Sequence, residues 1–134
     1  MNKKNRAGVV VRNKQNEVLV IHRFCEGREY YVFPGGSVED NETVEQAAVR
    51  EAAEELTLNV ALGKELLRLT NEDREEVYYL VEQFTGEPVL GGEEKERMND
   101  DDQYHLEWKN KEKLEKAEPF FPQEVKQEVL KLLS

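Results

Sequence analysis

The sequence predicts an α+β domain with a mixed sheet, and three observations support this fold class. Short runs rich in β-branched and aromatic residues recur along the chain, as is typical of strands. A helical segment lies in the middle of the chain, and a second helical pattern closes it, which favours an α+β or α/β sandwich. A chain of 134 residues is long enough for one real core, so we expect a single domain over residues 1–134.

Two strands are predicted near the start of the chain, over residues 6–12 and 17–24. Both runs are apolar and rich in valine, leucine and isoleucine, and the polar turn 13–16 separates them. Because the turn is short, we expect the two strands to be the arms of one hairpin. His22, on the second strand, is expected to be structural.

The later elements follow from turn residues and alternation. Residues 58–69 predict a strand region with a bend at Gly63, and residues 77–84 form the clearest strand pattern in the sequence. Residues 103–108 alternate between polar and apolar side chains, which predicts a further strand. Pro122 suits the first turn of a C-terminal helix. The packing stripe of this helix is Val125, Val129, Leu132 and Leu133.

Charge and composition exclude several classes of protein. The net charge of −10 disfavours binding to nucleic acid, which needs a basic surface. No apolar stretch reaches the length of a membrane span. Cys25 is the only cysteine, so no intrachain disulfide can form and a reducing compartment is indicated. We therefore expect a cytoplasmic protein, monomeric or homodimeric, with a small-molecule partner and no membrane or nucleic-acid partner.

The stretch 33–58 carries the strongest functional signal. A Pro-Gly-Gly turn leads through an acidic loop into a helix on which Glu51, Glu54 and Glu55 fall within an arc of about 100°. Like charges four residues apart repel, and carboxylates near a helix C-terminus oppose the helix dipole. A divalent cation bound there would remove both penalties, because hard cations prefer carboxylate oxygens. The alternative for the stripe alone is a solvated acidic face.

The spacing of this stretch favours the first interpretation. Gly36 is followed six residues later by Glu42, and eight residues further on by the run REAAEELTL at 50–58. This pattern resembles the Nudix box, and every charged position matches. One position departs, since Thr57 stands where the family has a glycine near the helix end. A β-branched residue is strained in a left-handed conformation. We therefore expect this helix to end without a left-handed residue.

The resemblance implies both a fold and an activity. The family fold is an α/β/α sandwich, and its members are metal-dependent hydrolases. They cleave a diphosphate linkage in a nucleoside diphosphate derivative or a nucleoside triphosphate by attack of water on phosphorus, with Mg²⁺ or Mn²⁺ as cofactor. The alternatives are a non-catalytic nucleotide or metabolite sensor, which the intact glutamates disfavour, and an acidic calcium-binding or structural domain, which lacks the EF-hand loop spacing.

The resemblance also implies a set of site residues. The expected metal ligands are the carbonyl of Gly35 with Glu51, Glu54, Glu55 and Asp102. The expected catalytic residues are Arg50, Glu51 and Glu54, with Arg50 paired to Glu54 or Glu42 and the identity of the general base left open. The expected substrate-binding residues are Arg6, Arg23 and Arg28, for which solvated surface arginines are the alternative.

Asp102 is the candidate from the acidic loop before the strand at 103–108. It stands six residues before Trp108, a spacing that resembles the loop glutamate of MutT-like members, but Gln103 follows it directly. Asp101, two residues before Gln103, is therefore a competing candidate, whereas Asp100 is expected to contribute little. The alternative is that all three aspartates are solvated.

Overall fold

The computed structural model describes residues 4–71, 73–91, 98–99 and 101–134. Within these ranges the chain forms ten strands and three helices. In chain order they are β1 (Arg6–Val11), β2 (Val18–Cys25), β3 (Arg28–Val32), β4 (Gly35–Ser37), α1 (Val44–Leu56), β5 (Asn59–Ala61), β6 (Glu65–Asn71), β7 (Arg74–Val81), β8 (Gln83–Thr85), β9 (Asp102–Lys109), α2 (Lys111–Lys116), β10 (Phe120–Phe121) and α3 (Gln123–Leu133).

The strands form two four-stranded sheets and one two-stranded sheet. The first sheet has the order β4-β1-β7-β6, the second has the order β10-β3-β2-β9, and β5 pairs with β8. In the first sheet β1 runs parallel to β7 and antiparallel to β4. In the second sheet β10 is parallel to β3, whereas β2 is antiparallel to both of its neighbours. Both larger sheets are therefore mixed, which confirms the predicted α+β class.

Helices cover the first sheet on its two faces, as the α/β/α expectation required. Successive residues of β1 face opposite sides, so Val9 packs in one apolar cluster and Val10 in the other. The first cluster joins the first sheet to α1 through Ala47, Ala48, Ala52 and Leu56. The second joins it to α2 and α3 through Leu114, Val125, Val129 and Leu133. Each cluster consists of buried side chains, so the sandwich has two cores.

The expected hairpin between the first two strands is wrong. β1 and β2 belong to different sheets, and only an isolated bridge between Arg12 and Val18 joins them. The reason is that both edges of β1 are taken, since Arg6 pairs with Ser37 of β4 and with Glu76 of β7. The turn therefore carries the chain from one sheet to the other.

Two other predicted strands are each divided into two strands in the structure. The strand expected at 77–84 is divided at Glu82 into β7 and β8, because β8 leaves the first sheet to pair with β5. The region 58–69 is likewise divided into β5 and β6. Gly63 lies in the bend between them and donates its N–H to the carbonyl of Leu80 at 2.7 Å. No helix among the described residues is long and apolar enough to cross a membrane.

Helix α1 begins at a capping box. The hydroxyl of Thr43 accepts a hydrogen bond from the N–H of Gln46 at 3.0 Å, and the Gln46 side chain accepts one from the N–H of Thr43 at 2.9 Å. The box satisfies two backbone donors that the first helical turn would otherwise leave unpaired. It fixes the start of the helix that carries the acidic stripe.

The end of α1 contradicts the expectation for Thr57. This residue is left-handed, with φ 61° and ψ 34°. The turn lets the N–H groups of Thr57 and Leu58 both point at the carbonyl of Ala52, and it buries the Leu58 side chain. The hydroxyl of Thr57 also donates to the carbonyl of Val89 at 3.0 Å. These contacts offset the strain that a β-branched residue incurs in this conformation.

A pair of substitutions at Thr57 tests this strain. Thr57→Gly and Thr57→Ala both lose the hydroxyl contact, but only glycine removes the left-handed penalty of about 1–2 kcal/mol. We expect urea denaturation to give Thr57→Gly a free energy of unfolding about 1 kcal/mol higher than that of Thr57→Ala. In an ordinary helical conformation glycine would instead be less stable than alanine by roughly 0.5–1 kcal/mol, so the opposite order would contradict the left-handed cap.

Candidate functional site

The two glycines of β4 place this strand directly against both β1 and α1. A Cβ atom at Gly36 would overlap the carboxylate of Glu51, and one at Gly35 would overlap the carbonyl oxygen of Ala7. The N–H of Gly35 donates to Oε1 of Glu55 at 3.3 Å. A side chain at Gly35 would therefore collide with backbone, whereas one at Gly36 would displace the Glu51 carboxylate. Glu51 and Glu55 therefore lie against the same short strand.

Arg50 gathers the remaining acidic side chains of this region. Its Nε and Nη2 donate to the two carboxylate oxygens of Glu42 at 2.8 and 3.0 Å. Its Nη1 donates to Glu51 at 2.9 Å and to Glu54 at 3.2 Å, and its Nη2 also donates to the carbonyl of Ser37 at 2.9 Å. Both contacts expected for Arg50, to Glu42 and to Glu54, are present.

The contact between Arg50 and Glu42 also shifts the pKa of both groups. The hydrogen bond from Arg50 lowers the pKa of Glu42, and the same bond raises the pKa of Arg50 above its already high value. Exposure differs strongly between the three glutamates of the stripe. Glu55 is 3% exposed, whereas the side chains of Glu51 and Glu54 are 16% and 58% exposed. The stripe thus extends from the buried carboxylate of Glu55 to the exposed carboxylate of Glu54.

The donor set fits a hard divalent cation in chemistry. Glu51 and Glu54 converge on the single nitrogen Nη1 of Arg50, so one positive centre already contacts both. Carboxylate and backbone oxygens are the ligands that Mg²⁺ prefers. In the part of the chain that the structure describes, no three Asp, Glu, His or Cys side chains are arranged as a closed metal site.

A cavity of about 800 Å³ lies next to this region. Two of the three predicted substrate-binding arginines, Arg6 and Arg23, line it, whereas Arg28 is not among its lining residues. The cavity lining combines three arginines with aromatic and acidic side chains. It comprises Arg6, Arg23, Tyr30, Val32, Leu69, Thr70, Arg74, Glu76, Tyr78, Phe121, Pro122, Gln123 and Glu124. Its size and mixed character are those of a small-molecule site.

Arg23 is held from three directions at the cavity wall. Its Nη2 donates to Oδ1 of Asp102 at 2.9 Å. Its guanidinium carbon lies 4.1 Å from the ring centroid of Tyr104 and 5.5 Å from that of Tyr30, within the range of cation–π attraction. Its Nε is buried and has no hydrogen-bond partner among the described residues. Arg28 is not part of the cavity lining. Its guanidinium carbon lies 5.6 Å from the ring centroid of Tyr30, the same ring that Arg23 contacts.

Tyr78 lies at the cavity beside the glycines of β1 and β4. Its hydroxyl donates to Oε1 of Glu76 at 2.9 Å, and burial raises the pKa of the phenol well above its usual value. A Cβ atom at Gly8 would lie 2.5 Å from the Tyr78 ring. Gly8 pairs with Gly35 across the sheet, so the ring packs on the strand pair whose other side carries Glu51 and Glu55.

The cavity and the carboxylates are separated by one pair of strands. Arg6, which lines the cavity, pairs with Ser37 of β4, and the Ser37 carbonyl accepts a hydrogen bond from Arg50. Directly paired residues in antiparallel strands have Cα atoms about 4.5–5.5 Å apart. The cavity and the acidic stripe are therefore connected through this one strand pair.

The aspartates of the acidic loop are only partly described. Asp102 begins β9, and its carboxylate pairs with Arg23 at 2.9 Å rather than being placed on α1. Asp101 is exposed, and its carbonyl accepts a hydrogen bond from the N–H of Glu26 at 2.9 Å. Asp100 and residues 92–97 lie outside the described residues. A metal-binding role for Asp102 stays a prediction.

Sequence reasoning missed several residues of the site. Ser37 acts through its backbone carbonyl, which no side-chain pattern reveals. Phe121, Gln123 and Glu124 enter the cavity only because β10 pairs with β3, a contact between distant parts of the chain. Of the residues that line the cavity, Arg6 and Arg23 were indicated by the sequence.

Comparison with known proteins finds relatives among nucleotide hydrolases. The 8-oxo-dGTP diphosphatase of Escherichia coli (strain K12) is 35% identical over 85 residues, which are 59% of this chain and 66% of that protein. An RNA pyrophosphohydrolase of Wolbachia sp. subsp. Brugia malayi (strain TRS) is 32% identical over 72 residues, which are 54% of this chain and 40% of that protein. The matched part is thus less than two thirds of either relative's length.

Solved structures and a family model extend the comparison over nearly the whole chain. A structure from a study of MutT in Aliivibrio salmonicida and Vibrio cholerae superposes with a TM-score of 0.78 at 23% identity, covering 96% of this chain and 98% of that one. At this identity the likeness shows the fold. The model of the NUDIX domain matches residues 2–129. The chain therefore belongs to the NUDIX domain family.

Proposed function

We propose that this chain is a Nudix-type pyrophosphohydrolase that uses a divalent cation to cleave a diphosphate linkage. The substrate would be a nucleoside triphosphate or another nucleoside diphosphate derivative. One observation carries the proposal: a stripe of carboxylates, convergent on one positive centre, lies one strand pair away from a cavity of nucleotide size. A sensor without activity would have no need to keep three glutamates together against their mutual repulsion.

The residues that would hold the cation are Glu51, Glu54 and Glu55 with the carbonyl of Gly35. When bound, Mg²⁺ or Mn²⁺ neutralises diphosphate oxygens and lowers the pKa of a coordinated water. Burial and the contact with the Gly35 N–H fix Glu55, so its carboxylate is the most firmly placed of the three. Glu54 is largely exposed and is free to turn toward ligand or solvent.

Arg50 orients the acidic groups rather than touching the reacting phosphorus. Its paired bonds to Glu42 anchor the guanidinium on the loop before α1, and its bond to Ser37 ties it to β4. From this anchor it contacts Glu51 and Glu54, as residues behind a metal site commonly do. Glu51, placed between Arg50 and Gly36, is either a ligand or the base that accepts a proton from the attacking water.

The cavity would hold the nucleoside and lead the phosphates toward the carboxylates. Tyr30 and Phe121 lie edge to face with centroids 5.8 Å apart at the cavity, offering aromatic surface to a base. Arg6 and Arg23 supply positive charge for phosphate oxygens, and Arg6 stands on the strand next to β4. Arg28 would act from outside the cavity, through its contact with Tyr30.

A free nucleotide fits these observations better than an RNA end. The relatives include an 8-oxo-dGTP diphosphatase and an RNA pyrophosphohydrolase, so both substrate types are represented among them. The net charge of −10 repels a polyanionic strand beyond the one nucleotide that the cavity would take. We therefore place nucleoside triphosphates, with 8-oxo-dGTP first, ahead of 5′-triphosphate RNA.

The first experiment combines a substrate panel with a ligand variant. The purified protein is assayed with Mg²⁺ or Mn²⁺ on 8-oxo-dGTP, dGTP, ADP-ribose and 5′-triphosphate RNA, and phosphorus NMR identifies the products. We expect hydrolysis of a free nucleotide, and a loss of about 100-fold or more in Glu55→Gln, equivalent to about 2.7 kcal/mol in the barrier. Glu45→Gln, an exposed change on the same helix, is the control and should retain full activity.

Either of two results would contradict this assignment. One is turnover that does not depend on a divalent cation, and the other is near wild-type turnover of Glu55→Gln on the substrate found. A large drop in the melting temperature of Glu55→Gln would point to a structural role for this buried carboxylate instead.

A second prediction separates the two glycines of β4. In Gly36→Ala the new methyl group would displace the end of the flexible Glu51 side chain, whereas in Gly35→Ala it would meet backbone atoms, with the Cα of Gly8 at 2.8 Å. We expect Gly36→Ala to lower kcat by about tenfold or more, because misplacing a catalytic group by about 1 Å can cost as much as 100-fold. Its free energy of unfolding should stay within about 1 kcal/mol of wild type, while Gly35→Ala should lose more than that.

Activity and urea denaturation measured on both glycine variants decide the point. If Gly36→Ala keeps the wild-type kcat, the position of Glu51 is not important for the reaction. Equal destabilisation of both variants would show that Gly36 serves packing alone.

The third prediction concerns Asp102, which we propose as a ligand from outside α1, direct or through a water. Asp102→Asn should lower kcat by about tenfold or more with a smaller change in KM, as expected for a group that acts mainly in the transition state. A rise in KM at unchanged kcat would contradict this role. It would indicate that Asp102 only orients Arg23, through the hydrogen bond seen in the structure. Asp101→Asn, measured in parallel, tests the competing candidate.

A further inference from the structure

We propose that Lys126 is a positioning residue that fixes one wall of the cavity and thereby sets its affinity for a nucleotide. The inference rests on the proposed function, and the wall in question, here called the C-terminal wall, consists of residues 121–124. Lys126 is 1% exposed. Among the described residues it shares full burial of a charged side chain only with Glu55.

The position of Lys126 is unfavourable in two respects. Removing an ammonium group from water is strongly unfavourable unless the group is paired. Lys126 also lies in the first turn of α3, which begins at Gln123, where the helix dipole disfavours a positive charge. A residue selected only for packing would be apolar here, since Val125 and Val129 of the same helix are buried in the second apolar cluster.

Three acceptors compensate for this cost, and all lie in one segment. The Nζ atom donates to the carbonyl of Glu115 at 3.1 Å, to the carbonyl of Ala117 at 3.0 Å and to Oε1 of Glu118 at 2.8 Å. An ammonium group has three donors, so each one is used. These acceptors belong to the end of α2 and to the connection that leads into β10. Lys126 therefore binds the start of α3 to the chain that precedes the wall.

Phe120 and Val125, which flank the wall, are buried in the second apolar cluster, whereas three of the four wall residues are exposed. β10 is only two residues long, and its pairing with β3 is supported by one neighbouring bond, from the N–H of Tyr31 to the carbonyl of Pro119 at 2.9 Å. The N-cap of α3 is Pro122, which makes no side-chain cap hydrogen bond. Phe121, in the wall itself, is 46% exposed and so gains little from burial.

Lys126 and the cavity lie at the two ends of the same short segment. Residues 118–122 leave the contacts of Lys126, pass through β10, and return to α3 at Gln123, three residues before Lys126. Fixing both ends of this loop fixes the direction in which Phe121, Gln123 and Glu124 enter the cavity. An apolar residue at 126 could fill the same volume, but it would bind neither carbonyl and would not set this direction.

The test compares two lysine-to-methionine changes on one helix. Lys126→Met removes the buried ammonium group, and Lys131→Met, whose lysine is exposed and pairs with Glu128, is the matched control. Two-dimensional ¹H–¹⁵N spectra of the free proteins should show shifted or broadened amide signals at the non-proline residues of the segment 118–124 in Lys126→Met alone. The amide signals of α1 should stay in place in both variants.

Kinetics on 8-oxo-dGTP with Mg²⁺ supply the second measurement. We expect Lys126→Met to raise KM by about tenfold with kcat within about twofold, because ground-state binding is lost while the carboxylates are untouched. A general loss of fold would lower kcat with the fraction of active protein and leave KM unchanged. Glu118→Ala removes one acceptor from a half-exposed side chain and should raise KM in the same direction by about threefold, so it provides the test if Lys126→Met does not fold.

Each outcome decides the proposal. The proposal would be overturned if the amide signals at residues 118–124 were unchanged in Lys126→Met. It would also be overturned if Lys126→Met and Glu118→Ala both lowered kcat at constant KM. If the wild-type protein hydrolyses no nucleotide of the panel, the proposed function fails and the link to nucleotide affinity fails with it. The spectra of the free protein would still show whether Lys126 holds the wall, so the two failures can be told apart.

Discussion

The guanidinium of Arg50 is the contact on which the candidate site depends. Its three nitrogens make five hydrogen bonds, reaching Glu42 twice, Glu51, Glu54 and the carbonyl of Ser37. Without it, the carboxylates on the last turns of α1 would repel one another at the end of a helix whose dipole already disfavours them. A rigid planar fork suits this task better than a lysine, because it can bind one carboxylate with two parallel bonds while it holds others. Charge balance and geometry are thus supplied by the same group.

The close approach of β4 to β1 connects the carboxylates held by Arg50 with the strand that lines the cavity. Gly35 and Gly36 allow the strand to lie against β1 on one side and the Glu51 carboxylate on the other. The register then follows, since Arg6 pairs with Ser37 and the Ser37 carbonyl is bound by Arg50. The position of β4 relative to the strand that carries Arg6 is therefore set by main-chain pairing in the sheet. Sheet register is stiff because a slip of one residue would turn every side chain to the other face.

The features that depend on residues close together in the chain could be predicted from the sequence. The spacing of Gly36, Glu42 and residues 50–58 indicated the helix, its acidic stripe and the family, and the contacts of Arg50 lie within the same stretch. The wrong expectations arose where distant strands compete. The first two strands form no hairpin because β4 and β7 occupy both edges of β1. Thr57 is left-handed because the turn buries Leu58 and satisfies the Ala52 carbonyl, which local strain alone does not reveal.

The two buried charges of the described chain are Glu55 and Lys126, and our proposals give each of them the task of fixing one part of the site. Each is expensive to bury, and each is compensated by hydrogen bonds to main-chain atoms of a short strand or its approach. Glu55 meets β4 at the carboxylate stripe, and Lys126 meets the connection to β10 at the cavity wall. Apolar packing could stabilise both places equally well, but it would not fix a direction. Directional bonds from a buried charge do so, at a cost in stability that the two apolar cores of the sandwich offset.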